Sequence, residues 1–130
     1  MIKTKNLLFP VLIMIPILFS GCATWSSSQV DNAQPTPTGV TPTHTSDIIV
    51  SENDITDRKY KSLGDITATV NKTTIFNADP TRDMVADKLR EEAAKLGADA
   101  VILVRYGNVG ISFMSWGSLE GKGRAVKFTK

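Results

Sequence analysis

The chain has 130 residues, with fifteen Lys and Arg against thirteen Asp and Glu, one His and one Cys. That length supports a single modest core rather than two domains, and one cysteine excludes an internal disulfide. The near-balanced charge shows no basic stripe, which argues against a nucleic-acid partner.

The first 21 residues divide into the parts of a secretory signal. Lys3 and Lys5 form a basic start, residues 7–19 are almost wholly apolar apart from Pro10 and Pro16, and Ser20 and Gly21 are small residues ahead of Cys22. A membrane-spanning helix needs about 20 apolar residues and tolerates interior prolines poorly. The order Leu18-Phe19-Ser20-Gly21-Cys22 resembles the lipobox of bacterial lipoproteins, with Phe19 where such signals usually carry Leu. That resemblance implies cleavage before Cys22 and acylation of its thiol, so that the membrane becomes a partner through the lipid. A single acyl chain binds reversibly, whereas the three carried by mature lipoproteins hold fast. Ala23 follows the cysteine, where Asp would signal retention; by the same resemblance the destination is the outer membrane, at its periplasmic face or the cell surface. Removing Lys3 and Lys5 leaves thirteen basic and thirteen acidic side chains, a formal charge of zero.

Residues 22–46 then read as a disordered tether. Pro35, Pro37 and Pro42 stand among Thr, Ser, Asn and Gln with few large apolar residues, too little to offset the entropy of ordering. Such a segment spans about 80 Å fully stretched at ~3.3 Å per residue, and nearer 25–30 Å as a flexible coil. Trp25, close to the lipidated end, suits the headgroup interface or an ordinary loop.

Residues 47–130 form the folded candidate. Ile48, Ile49 and Val50 suggest a short edge strand, suited to self-association. Residues 63–70 alternate, with Ile66, Ala68 and Val70 on one face and Asp65, Thr67 and Thr69 on the other, the mark of a half-buried strand. Asp79-Pro80 predicts a helix start, with Asp as N-cap. Val85, Leu89, Ala93 and Leu96 make an apolar helical stripe with Ala86 beside it, and Gly97 is a natural C-terminal cap. Charged residues off the stripe include Asp87, Glu91 and Lys95 at i,i+4 spacing. Residues 100–104 are continuously apolar and predict a central strand covered on both faces. Residues 111–116 are a fifth strand or a loop. Residues 124–128 alternate and close the sheet. The expected class is α+β, one amphipathic helix on a small sheet of three to five strands.

Leu63-Gly64, Ala93-Ala94, the run from Leu96-Gly97-Ala98-Asp99 into Ala100-Val101, and the glycines before Ala125-Val126 resemble a recurrent small bacterial domain of the YbjQ type, a family described as a heavy-metal-binding fold. The whole arrangement is also similar to RcsF-like envelope-stress lipoproteins, which join a lipid anchor, a Pro-rich linker and such a domain. RcsF-like domains are held by disulfides, which this chain cannot form. The metal role implied by the YbjQ-type resemblance finds no Cys or His cluster, since the lone His44 lies in the linker.

No residue is assigned as catalytic, cofactor-binding or metal-ligating, and no enzymatic activity is expected. His44 and Cys22 do not make a nucleophile–base pair. Residues 117–123 are glycine-rich but fall one residue short of a phosphate loop and precede a strand, so they predict a hairpin. Phe113, Met114 and Trp116 sit in a glycine-flanked segment; they are either folded onto the core or exposed as a docking patch. The expected function is a lipid-anchored envelope module that docks an envelope protein or senses envelope stress. The alternative is a small ligand- or metal-binding domain, homo-oligomeric and tethered to the outer membrane.

Overall fold

The structure, a computed structural model, describes residues 24–34, 39–112 and 115–130. Residues 1–21, expected to be a secretory signal, lie outside the described residues, as do Cys22, Phe113 and Met114. In chain order the elements are β1 (Thr24–Asp31), β2 (Ile49–Val50), β3 (Tyr60–Lys72), α1 (Arg82–Lys95), β4 (Ala100–Tyr106), β5 (Gly110–Ser112) and β6 (Ser115–Phe128). The fold is α+β, as expected. One helix covers a mixed sheet of order β1-β3-β6-β4-β2, and β5 continues the β4 side of β6, so six strands occupy five lanes. Among the described residues only the β2–β4 pairing is parallel.

The helix begins two residues later than Asp79-Pro80 predicts. Thr81 is the N-cap, and its hydroxyl accepts a hydrogen bond from the Met84 N–H at 3.3 Å. Asp79 is engaged instead by Lys72 of β3. At the other end Gly97 has φ +69, the Gly97 N–H reaches Ala94 O at 3.0 Å and the Ala98 N–H reaches Ala93 O at 3.0 Å. That bond pair is the Schellman closure, and its left-handed residue favours glycine. The charge pairs run at i,i+3, Asp87–Arg90, Lys88–Glu91 and Glu92–Lys95, in place of the expected i,i+4 steps.

The expected stripe is the buried face: Val85, Leu89 and Ala93 are inaccessible, with Ala86 and Ala94 nearly so and Leu96 partly covered. They pack on Ile66, Ala68 and Val70 of β3, Val101 and Val104 of β4, and Leu119 and Ala125 of β6. The glycine-rich stretch 117–123 is not a hairpin but the middle of β6, the longest strand. A Cβ on Gly121 would stand 2.4 Å from Val85 Cγ1, and one on Gly123 would stand 2.6 Å from Val101 Cγ1. Glycine there sets how closely the helix and the neighbouring strand approach. Nor does β6 close the sheet; it lies between β3 and β4, paired along both edges.

The apolar run 100–104 falls in β4, which lies between β6 and the edge strand β2 and not at the centre; the run is buried on both faces except at Leu103, which is exposed. Leu103 adopts φ +55 at the register shift between Ile102 and Arg105, which places Val101 and Val104 under the helix. Ile102, Ala100 and Val126 form a second cluster, covered by Ile55, Tyr60 and Phe128. Asp99 braces the neighbouring strand end, its carboxylate accepting from the Phe128 N–H at 2.8 Å and pairing with Lys127 at 3.1 Å.

The stretch expected to be a disordered tether departs most from its composition. Thr24–Asp31 pairs antiparallel with β3, in register from Thr24↔Lys72 to Asp31↔Asp65. The physical reason is that an edge of β3 offers a row of backbone donors and acceptors, and pairing them asks little of the side chains. The chain then returns over the end of the helix, where the Thr43 N–H donates to Ala94 O at 3.2 Å and Val40 packs beside Gly97.

Candidate functional site

The strand register collects apolar side chains at one end of the sheet. Across that end the row runs Trp25, Asn71, Ser118 and Gly110 through β1, β3, β6 and β5. Trp116 lies two residues beyond Ser118, Val109 directly precedes Gly110, and Ile75 and Phe76 occupy the turn after β3. All five large apolar side chains are exposed, Phe76 at 91% and Trp116 at 56%. Among the described residues only Ile49 and Leu103 are comparably exposed elsewhere. The sequence singled out Trp116, and the structure places it at the surface. The sequence carries no such mark at Ile75, Phe76 or Val109, which come to the same end of the sheet through the turn after β3 and the start of β5.

The charge at this end is internally matched. Lys72, nearly buried along its stem, lies over Gly117 and pairs with Asp79. Beyond the rim, Arg82 stacks on the Tyr106 ring at 5.3 Å and reaches Glu52 at 3.8 Å. Burial, with the Glu52 carboxylate nearby, pushes the Tyr106 phenol above its ordinary pKa.

Two other surfaces are distinct from the rim. At the opposite end of the domain a cleft of ≈ 390 Å³ is floored by Val40, Leu63 and Leu96 and flanked by Lys61 and Lys127. The sheet face away from the helix carries Thr67, Thr69, Glu120, Lys122 and the Asp65–Arg124 pair at 2.9 Å. The Arg124 hydrogen bond, aided by Asn32, holds the Asp65 carboxyl below the usual range against a partial desolvation. No three His, Cys, Asp or Glu side chains gather as a metal site among the described residues, and His44 is exposed ahead of a short 3-10 turn.

The chain matches no protein-family model and no curated protein. Two solved structures are similar to it. A protein of unknown function of the DUF74 family from Pediococcus pentosaceus is 14% identical, with the match covering 63% of this chain and 98% of that one at a TM-score of 0.45. The Francisella virulence factor FvfA is 19% identical, covering 78% and 96% respectively at a TM-score of 0.41. These are likenesses of general outline, and no residue role is transferred from either protein.

Proposed function

We propose that this is a lipid-anchored protein of the bacterial cell envelope, held in the outer membrane through acylated Cys22 and acting as an interaction or stress-sensing module. The observation that supports a binding role is the exposed rim of Trp25, Ile75, Phe76, Val109 and Trp116. Aromatic side chains left in water on a small domain mark a contact surface, since isolated apolar residues are common but clusters are not. The lipobox-like sequence supplies the anchor.

The test takes place in the native envelope. Cells fed an alkyne-tagged palmitate should label the protein, and Cys22→Ala should remove both the label and its membrane fractionation. A photo-reactive residue placed at 116, 103 or 63 should give at least one discrete protein adduct. Absence of label at Cys22, or absence of adducts from all three positions, would defeat this reading.

The cleft favours a second reading, the binding of a small ligand. Its apolar floor and the Lys61 ammonium fit an amphipathic anion, Lys127 being paired with Asp99. A medium-chain fatty acid at one hundred times its dissociation constant would add about 2.7 kcal/mol of stability, visible as a raised Tm. An unchanged melt across a series of such anions removes this reading.

A further inference from the structure

We infer that the apolar rim rests on the lipid bilayer itself, so that the domain is held flush against the membrane with its sheet end-on and does not swing on a tether. This inference rests on the anchor at Cys22 proposed above and adds what the rim touches.

Chain length sets how far the fold can stand from the lipid. β1 begins at Thr24, two residues after Cys22. Two residues span at most about 7 Å, comparable to the roughly 5–8 Å of headgroup region on one side of a bilayer. An acylated Cys22 therefore brings the Thr24 end of β1 to the membrane surface. The 25–30 Å of free reach predicted from composition is lost, because the polar stretch that would supply it is spent on pairing with β3.

The side chains at that end suit a lipid surface. The end of the sheet that the anchor would bring to the lipid is the end where Trp25, Ile75, Phe76, Val109 and Trp116 are exposed. Tryptophan suits the interface because its ring is apolar and its N–H stays wet. Ile75 and Phe76 sit together at the tip of the turn between β3 and α1, where they can enter the acyl boundary without disturbing the core. The nearly buried Lys72 is already paired with Asp79, so no lone cation there has to be desolvated. Insertion of several side chains beside the acyl chains adds their transfer free energy to that of the anchor.

This orientation divides the molecule. The cleft of Val40, Leu63 and Leu96 points away from the membrane, and the polar sheet face stands roughly upright. Those surfaces, not the rim, are then open to an envelope-protein partner.

Trp25 and Trp116 are the two tryptophans in the chain, so fluorescence reports the rim directly. The acylated full-length product is purified from cells and reconstituted into phosphatidylcholine vesicles with and without bromine on the acyl chains. In Trp25→Phe, Trp116 is the sole reporter and lies far along the sequence from the anchor. Its emission should shift to the blue on reconstitution and be quenched by the brominated lipid. Adding Ile75→Ser and Phe76→Ser, both at exposed positions, should weaken the quenching while the circular dichroism spectrum stays unchanged. Acylated, vesicle-bound protein whose Trp116 emission ignores bromine overturns the inference and leaves the anchor standing. Protein with no acyl mass on Cys22 overturns the anchor and this inference with it.

Discussion

β6 and β1 belong to one sheet and are held in it by different chemistry. β6 is paired along both edges and lies directly under the helix, where Leu119, Gly121, Gly123 and Ala125 fit against Val85, Leu89 and Val101. β1 is paired along one edge and carries Ser26, Ser27 and Ser28 at its centre. Its ties to the rest of the molecule include backbone bonds to β3 and the Ser28 hydroxyl donating to Glu92 of the helix at 2.7 Å. One strand is specified by side-chain shape and the other by an available edge. Substitutions should therefore separate them.

The largest effect is expected beneath β6. Leu89→Ala removes an inaccessible side chain from the shared core and should cost about 2–5 kcal/mol, read as a large fall in Tm or in the denaturant midpoint. Gly121→Val comes next. It drives a side chain into Val85, and overpacking of this kind costs about 1–3 kcal/mol. A Gly121→Val protein as stable as the wild type would show that the close approach of helix and β6 is misplaced.

Loss of the helix cap should be smaller. Thr81→Ala leaves the Met84 N–H without its partner and should cost about 1 kcal/mol. At β1 the expected effect is smaller still. Ser28→Ala removes one exposed hydrogen bond and should cost about 1 kcal/mol or less. Hydrogen exchange sharpens the contrast: amides of β1 should exchange through local opening well before those of β6. Equal protection of the two strands would erase the distinction.

A pH measurement probes the open face where β3 meets β6. The Asp65 carboxyl has a lowered pKa, first through its bond from Arg124. Such a group stabilises the folded state above its unfolded pKa, and that contribution is lost as pH falls through the folded value. Stability should therefore decline below about pH 4, and Asp65→Asn should flatten a small part of the decline. The pair is well exposed, so the difference is modest.

Much of the folded core was legible in the sequence because its signals are local. The spacing of Val85, Leu89 and Ala93 marks a helix face, Ile66, Ala68 and Val70 alternate, and 100–104 is a continuous apolar run; each reappears as a buried surface, except that Leu103 turns out to the solvent at the register shift. Gly97 reads as a helix end because only a residue at ease with positive φ closes that turn. The N-cap was misread by two residues, since Asp79 is drawn off by Lys72 from a different element. The glycines of 117–123 suggested a turn because sequence shows what glycine permits but not what stands above it. Here it is Val85. Trp116 was legible as a candidate contact residue, whereas Ile75, Phe76 and Val109 acquire meaning only beside it.

The sequence by itself determined the helix, its buried face, the apolar strands and the class of fold, since periodicity and helix termination depend on neighbours along the chain. It also carries the lipobox-like run ending at Cys22, a linear pattern that needs no fold to be read. Tertiary structure decided the placement of β6 at the centre, the recruitment of a serine-rich stretch as β1, and the gathering of five apolar side chains at one end of the sheet. Those outcomes rest on hydrogen bonds and contacts between segments far apart in the chain. No local pattern encodes them, because the partner that makes each one favourable exists only once the sheet has formed.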